Sequence, residues 1–330
     1  MKLPRIHSIL FTGLTAALLF SSCQKDLDVF VPDSGQITGP DTSWYNTISS
    51  TMPVTALKNV LLIPLHKDSF QLNSSVNTVH LASGIQCLVS SGSVLTSSSQ
   101  PVGGKVYVES LLLKKKGHMI RMGTPTTSDG KLLVSGGEIF IRLRSDSFPQ
   151  LQLAQNNPIL LEYADIDVST QMQYFNGIVN SSGQFNWLLN TDSSNKVYAL
   201  QQAYRVITNQ LNWINCDYFL DTAGIQQTIV STVLPAQFTN ANTIAYTVFN
   251  NIRSVAGMYG NANTKKFSSG KLPVNKLVTV VVISKQGDDY YLGHETVTTS
   301  ANGAAVGSQQ VAVTPIKTPL NNIITYLENL

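Results

Sequence analysis

Charge is what this sequence has least of. Asp, Glu, Lys and Arg make up 12% of its 330 residues, about half of the ~25% usual for soluble domains. Ser, Thr, Asn and Gln supply the polarity instead, which suits strands and loops better than solvent-facing helices. The formal charge is only +3, and there is no basic stripe of the kind that neutralises phosphates, so nucleic acid is set aside as a partner. Histidine is scarce as well: His66, His80, His118 and His294 are widely separated, and His294-Glu295 on a strand would point to opposite faces. Neither a metal nor a cofactor is expected. The three cysteines include no C-x-x-C spacing, which argues against a structural zinc site or a redox motif. Cys87 and Cys216 read as small buried apolar residues, with a disulfide between them the alternative in an oxidising compartment. The G-x-S-x-G elbow, the P-loop, G-x-G-x-x-G, H-E-x-x-H and the EF-hand loop are all missing. Ser193–Lys196 and Ser268–Lys271 have S-x-x-K spacing without an accompanying S-D-N or K-T-G. No catalytic residue is assigned.

Long apolar runs are nearly absent too. Ile6–Phe20 follows Lys2 and Arg5 and precedes the small residues Ser21 and Ser22, which is the layout of a signal peptide over residues 1–22. The run is too short for a bilayer span of about 20 residues. Leu19-Phe20-Ser21-Ser22-Cys23 resembles the bacterial lipobox, although Phe20 stands where Leu is usual. The resemblance implies diacylglyceryl transfer to Cys23, cleavage before it and acylation of the new amine. Several acyl chains, at about 0.8 kcal/mol per buried methylene, amount to permanent anchoring. The membrane is therefore an expected partner. Loss of residues 1–22 takes Lys2 and Arg5 with no acid, so the formal charge falls from +3 to +1. Gln24, Lys25 and Asp26, followed by Leu27 and Asp28, resemble the export signal that places some Gram-negative lipoproteins on the cell surface. The expected location is the outer membrane, exposed outward, with its periplasmic face as the alternative.

The expected organisation is the leader over 1–22, lipidated Cys23 and a tether over 23–52, and then two β domains over 53–210 and 211–330. The length of 330 residues fits two domains of roughly 100–200 residues each. Pro32, Gly35, Gly39 and Pro40 among Ser, Thr and Asp make residues 24–50 tether-like, with a reach on the order of 30 Å. Trp44 and Tyr45 are placed to dock its end on the first domain. Short apolar runs at strand length follow: Asn59–Leu65, Val76–Leu81, Ile85–Val89, Lys105–Leu113, Glu138–Leu143, Ile159–Tyr163 and Gln171–Val179. No helix is expected among them, and Lys114-Lys115-Lys116 reads as a solvated turn. Ile139, Ile141 and Leu143 alternate with Arg142 and Arg144, as in a half-solvated antiparallel strand. Gly136-Gly137 marks a tight turn or bulge. Thr228–Leu234, Thr243–Asn250, Lys276–Ser284 and Tyr290–Thr299 form the second set, the last two joined as a hairpin at Gln286–Asp289. Leu277–Ile283, apolar at nearly every position, reads as a central strand covered on both faces. Thr318 as cap, Pro319 at the first helical position and Leu320, Ile323, Ile324 and Leu327 at helical spacing predict a short C-terminal helix. The fold class is all-β: two β-sandwich-like domains in tandem with a short C-terminal α-helix.

Gly117–Gly137 together with the Trp213-Ile214-Asn215-Cys216-Asp217 joint, Pro273 and Tyr290-Tyr291 resembles a group of uncharacterised bacterial surface lipoproteins. The first half is also loosely similar to the β-sandwich module of zonula-occludens, netrin-receptor and ankyrin proteins. That resemblance implies an adaptor-like role. Self-cleavage, found in some such modules at His-Phe-Ser, does not carry over, because the tripeptide does not occur here.

The expected function is a lipid-anchored cell-surface binding or structural module, with glycans or another envelope protein as possible partners. The alternative is a glycan-directed hydrolase or a carbohydrate-binding component of a surface uptake system. Tyr163, Tyr174 and Trp187 belong to an aromatic-rich third of the chain that also holds Phe175, Phe185, Tyr198 and Tyr204. Such rings either fill a core or form a sugar-stacking platform. Glu162, Asp165 and Asp167 read as a solvated strand end or, with Asp165 and Asp167 sharing a face, as acid–base or cation-holding carboxylates. Asp217 has apolar neighbours and reads as a structural clasp satisfied by Arg205 or a backbone amide.

Overall fold

The computed structural model describes residues 41–330, apart from residue 74, residues 181–182 and residues 302–306. Cys23, Gln24, Lys25 and Asp26, with the expected leader and most of the expected tether, lie outside the described residues. No helix among the described residues is long and apolar enough to cross a membrane.

The first half is built from β1 (His66–Leu72), β2 (Asn77–His80), β3 (Gln86–Val89), β4 (Val94–Leu95), β5 (Gly104–Leu113), β6 (Thr127–Ser128), β7 (Lys131–Arg144), β8 (Gln152–Leu153), β9 (Ile159–Ala164), β10 (Gln173–Val179), β11 (Phe185–Leu189), β12 (Lys196–Ala199), β13 (Ala203–Thr208) and β14 (Asn212–Phe219). One sheet runs β1-β5-β7-β14-β10-β11, with β6 paired to the start of β7; a second runs β12-β13-β9-β3-β2. They close as a sandwich over Val106, Val108, Ile139, Ile141, Ile214 and Cys216 from one side and Cys87, Val89, Leu161, Tyr163, Tyr204 and Val206 from the other. The alternation at Ile139, Ile141 and Leu143 is the inward face of β7. Cys87 and Cys216 are free and buried in this core, and burial pushes each thiol up to about 12.

The expected boundary at 210/211 falls inside this sandwich. The strand meant to open the second half, β14, pairs with β7 along its length and with β10 on its other edge. Ile214 and Cys216 on β14 drop into the first core, so long-range pairing claims a segment whose composition marked it as a joint.

The second half comprises β15 (Gln227–Val233), β16 (Thr243–Phe249), β17 (Val255–Asn261), β18 (Lys266–Pro273), β19 (Leu277–Gln286), β20 (Asp289–Thr298), β21 (Ser308–Ala312) and β22 (Ile316–Lys317). They form one sheet in the order β21-β15-β18-β17-β16-β19-β20-β22. Its two edge strands are separated by only residues 313–315, so the sheet must curl into a half-barrel. Val313 seals it, buried with its N–H on the carbonyl of Val233 at 3.0 Å. As expected, β19 is covered on both faces: Val278, Val280 and Val282 point into the curl, and Val281 and Ile283 point to the outer layer. The hairpin to β20 turns with Gly287 at φ +57, a left-handed position open to glycine. Trp44 and Tyr45 dock here rather than on the first domain. Trp44 stacks near Phe267 at 5.1 Å between ring centroids, and Tyr45 exchanges backbone bonds with the Asn240 amide.

Three short helices form the outer layer over β16 and β19: α1 (Pro53–Leu61), α2 (Lys116–Met122) and α3 (Leu320–Glu328). The stretch expected as a strand from Asn59 is the end of α1 instead. Pro53 at its start and the buried spacing Val54, Leu57, Leu61 make a helical face. The three lysines open α2 rather than a solvated turn. Their ammonium groups hydrogen-bond the carbonyls of Ala164, Glu328, Phe249 and Asn250, and Gly123 ends the helix at φ +67. α3 starts one residue later than expected, with Pro319 at the cap position. Thr318 turns its hydroxyl to the carbonyl of Ile316 instead of capping. Glu328 at the end of α3 takes Arg121 and His118 from α2, each at 2.5 Å. The fold is thus all-β with a short C-terminal helix and, among the described residues, two further helices.

α2 and α3 cross at Gly117, where a Cβ would overlap the carbonyl of Leu327. Gly117→Ala is expected to lower stability by about 1–3 kcal/mol, the range for overpacking a tight contact. Urea denaturation of the full chain followed by circular dichroism measures it, with Gly183→Ala, where the turn glycine faces open space but sits at φ +72, as a control for backbone strain alone.

Candidate functional site

Of the aromatic residues proposed for a surface platform, Trp187, Tyr163, Tyr174, Phe175 and Tyr204 are core residues, while Tyr198 on β12 is 44% exposed. Trp187 is fully buried, packed edge-on against Phe185 and Trp213. Tyr163 is buried with its hydroxyl on the carbonyl of Gly136 at 3.3 Å, and Tyr174 with its hydroxyl 2.7 Å from Oγ1 of Thr208. Period-two alternation turned these rings inward, and their large apolar area made that the favourable side.

The three carboxylates are separated in role. Glu162 is held by Arg205 through Nε at 3.0 Å and Nη2 at 2.9 Å. Asp165 is buried and takes Arg253 Nη1 at 2.8 Å and Nη2 at 3.3 Å. Asp167 is exposed, and its N–H closes a turn onto Oδ1 of Asp165 at 3.0 Å. Asp165 and Asp167 therefore do not share a face, because the chain bends after β9 instead of continuing extended. Burial of Asp165 opposes its ionisation, but the hydrogen bonds from Arg253 and the Asp167 N–H and the charge of Arg253 outweigh it and hold the carboxyl below its ordinary range.

Arg253 comes from the turn between β16 and β17, so this ion pair ties the half-barrel to the sandwich. Its Nη1 also reaches the carbonyl of Ser135 at 3.4 Å, and Ser135 N–H donates to the Arg253 carbonyl at 2.9 Å. Thr126 donates its N–H to the Val255 carbonyl, and its hydroxyl accepts from the Val255 N–H and contacts Ser254 Oγ.

Behind this seam lie two fully buried carboxyl groups, Glu138 on β7 and Asp217 on β14. Thr124 donates to Glu138 Oε2 at 2.5 Å, and the Asn215 amide donates to Asp217 Oδ2 at 2.7 Å. The remaining oxygens, Glu138 Oε1 and Asp217 Oδ1, have no well-aligned partner among the described residues. Asp217 is buried, as its apolar neighbours implied, and Asn215 holds its Oδ2, while Arg205 serves Glu162. Burial pushes Asp217 up to about 7, with Ser135, Asn215 and the charge of Arg253 pulling it partly back. Glu138 is driven well above the ordinary range, first by burial and then by the neighbouring Asp217, against the Thr124 bond.

Sequence reading missed a groove on the outer side of the junction. It has a volume of about 360 Å³, within the range of small-ligand sites. One wall is the β10–β11 hairpin with Ile178, Gln184, Asn186 and Leu188; the other is β17–β18 with Tyr259 and Lys271; the β6–β7 turn, Asp129-Gly130, closes one end. Asp129 sits at φ +47, a conformation Asp tolerates better than most residues. It is held there by Asn186, which accepts from its N–H and donates to its Oδ1, both at 2.9 Å. The Tyr259 ring lies back over Gly257 and is 42% exposed. Tyr259 stands outside the aromatic-rich third of the sequence. Phe185, from the aromatic-rich third, and Lys271, from an S-x-x-K spacing, stood out in the sequence without pointing to this site.

No family model matches the chain, and no curated protein is similar to it.

The buried carboxyl pair makes stability depend on pH in a defined direction. Asp217 ordinarily titrates near 3.8 and in the fold near 7, so the native state holds a proton that the unfolded chain has released. That advantage is complete below about pH 4 and is lost as pH rises through about 7, a change of about 4 kcal/mol. Glu138 acts in the same sense. Asp165 and Glu328, whose pKa values are lowered by their basic partners, contribute in the opposite sense and lose their contribution as pH falls below the ordinary carboxylate range. Denaturation midpoints measured from pH 4 to 8 are expected to fall with rising pH, and Asp217→Asn is expected to remove part of that slope, Glu138 supplying the rest. Tyr163, Cys216 and Arg253, the other titratable groups facing Asp217, do not change charge in this window.

Proposed function

We propose that this protein is a binding module held at the bacterial cell surface by lipid on Cys23, with the groove between sandwich and half-barrel as its ligand site. The groove is the observation that carries the reading. It is lined from two separate β units, mixes an apolar floor with a few fixed polar groups, and opens to solvent, as small-ligand sites do. The lipobox-like Leu19-Phe20-Ser21-Ser22-Cys23 and the following Gln24-Lys25-Asp26 support the anchoring and the outward location. Of Glu162, Asp165 and Asp167, the carboxylates grouped in sequence for hydrolysis, the first two are each occupied by an arginine, which favours binding over catalysis.

Expression in a Gram-negative host tests the anchoring. The chain is expected to incorporate labelled palmitate, to fractionate with the outer membrane, and to be cleaved by protease added to intact cells. Cys23→Ser is expected to abolish the label and move the protein to the soluble fraction. Labelled membrane protein that resists external protease would place it on the periplasmic face, and an unlabelled wild-type chain would overturn the reading.

A further inference from the structure

The groove also carries information about what fits it. Its wall from β17–β18 presents Tyr259, whose phenol end lies close to Gly257 while the residue stays half open to water. The floor is apolar, from Ile178, Leu188, Leu132 and Leu272. Around it stand polar groups whose capacity is unspent. Among the described residues, Asp129 Oδ2, the Gln184 side-chain amide, the Tyr259 hydroxyl and Lys271 Nζ have no hydrogen-bond or ion-pair partner. Two of these groups are charged, one of each sign, so the lining has no net charge to recruit a phosphate or a strongly anionic ligand.

We infer that the groove binds a neutral sugar residue of an oligosaccharide, stacked on Tyr259, with its hydroxyls shared among Asp129, Gln184 and Lys271. A pyranose ring presents one face of C–H groups and a rim of hydroxyls that both donate and accept. The C–H face matches a half-exposed aromatic ring and an apolar floor. The rim matches a set that includes an acceptor carboxylate, a donor ammonium and an amide that does both. Asp129 is already fixed by Asn186, so binding need not order it. This assignment rests on the groove being the ligand site but not on the lipid anchor.

The test uses the full chain purified from membranes in detergent, titrated calorimetrically with cello-, malto-, manno- and xylo-oligosaccharides. At least one neutral series is expected to bind, and Tyr259→Ala is expected to weaken it by about tenfold or more. Tyr259→Phe, which keeps the stacking face, is expected to stay within about threefold of wild type. Lys271→Ala and Asp129→Ala are each expected to weaken binding, with Asp129→Ala monitored by circular dichroism because its turn is strained. Binding that survives Tyr259→Ala in a folded protein would overturn the inference. So would a failure of every neutral series, whether or not a charged oligosaccharide or a peptide binds. Loss of surface anchoring in the palmitate experiment leaves this result standing, so the two readings fail separately.

Discussion

Arg253 and Asp165 form the interaction on which the arrangement of the two halves depends. The arginine leaves the β16–β17 turn of the half-barrel and ends on a carboxylate that follows β9 in the five-stranded sheet, touching the carbonyl of Ser135 in the seven-stranded sheet on the way. Three sheets therefore meet on one guanidinium. The Asp165 side chain is only 1% accessible, so water cannot stand in for the arginine while the halves are docked. Removing one partner of such a pair costs about 3–5 kcal/mol, most of it the uncompensated charge left behind. The ion pair need not add much net stability to act as a locator: any other docking of the halves would strand Asp165.

The same seam contains polar groups that the fold does not fully satisfy. Glu138 and Asp217 face the junction from neighbouring strands, each with one oxygen lacking a partner among the described residues. Apolar side chains there would cost less. What the pair does is limit the alternatives, since only the observed register sets Glu138 against Thr124 and Asp217 beside Asn215. The register itself shifts at Cys216/Asp217, opposite Gly136-Gly137. Gly137 sits at φ +142, and a Cβ there would press on the Tyr163 ring at 3.1 Å. A bulge made of two glycines thus lets a large ring reach the sheet and, on the other side of the strand, turns the carboxyl groups toward the seam.

These devices were unevenly legible in the sequence. The all-β class, the two-faced burial of β19, the hairpin at Gly287 and the bulge at Gly136-Gly137 are local signals of period and turn chemistry, and they emerged from the residues directly. The helix over Pro53–Leu61 did not, because two turns of helix and a short apolar strand look alike over so few residues. Assignment of β14 to the first sandwich depends on pairing with residues some 80 positions earlier, such as Asp217 with Ser135, and no local pattern encodes that. The aromatic cluster failed for a third reason. Alternation says which rings share a face, but not whether a second layer covers that face. Trp187 is covered and Tyr259 is not, although Trp187 lies in the more aromatic surroundings.

The uncovered ring and the covered carboxylates follow from one geometric constraint. Two curved sheets joined at a small seam touch closely only along a line, and their surfaces diverge away from it. Along that line the side chains are dry, which is why Asp217 and Glu138 lie with their pKa values raised and why Asp165 needs Arg253. Where the surfaces diverge, a cleft is left whose walls belong to elements that cannot approach further, because Arg253 and Thr126 fix the start of β17 against β7 and its neighbouring segment. Tyr259, four residues beyond Val255 on that same strand, is carried to the cleft wall by the seam itself. Asp129, three residues beyond Thr126, is carried to its end. The groove is therefore pre-shaped at folding, with little left to order on binding, and the charge pair that joins the halves also sets the distance between its walls.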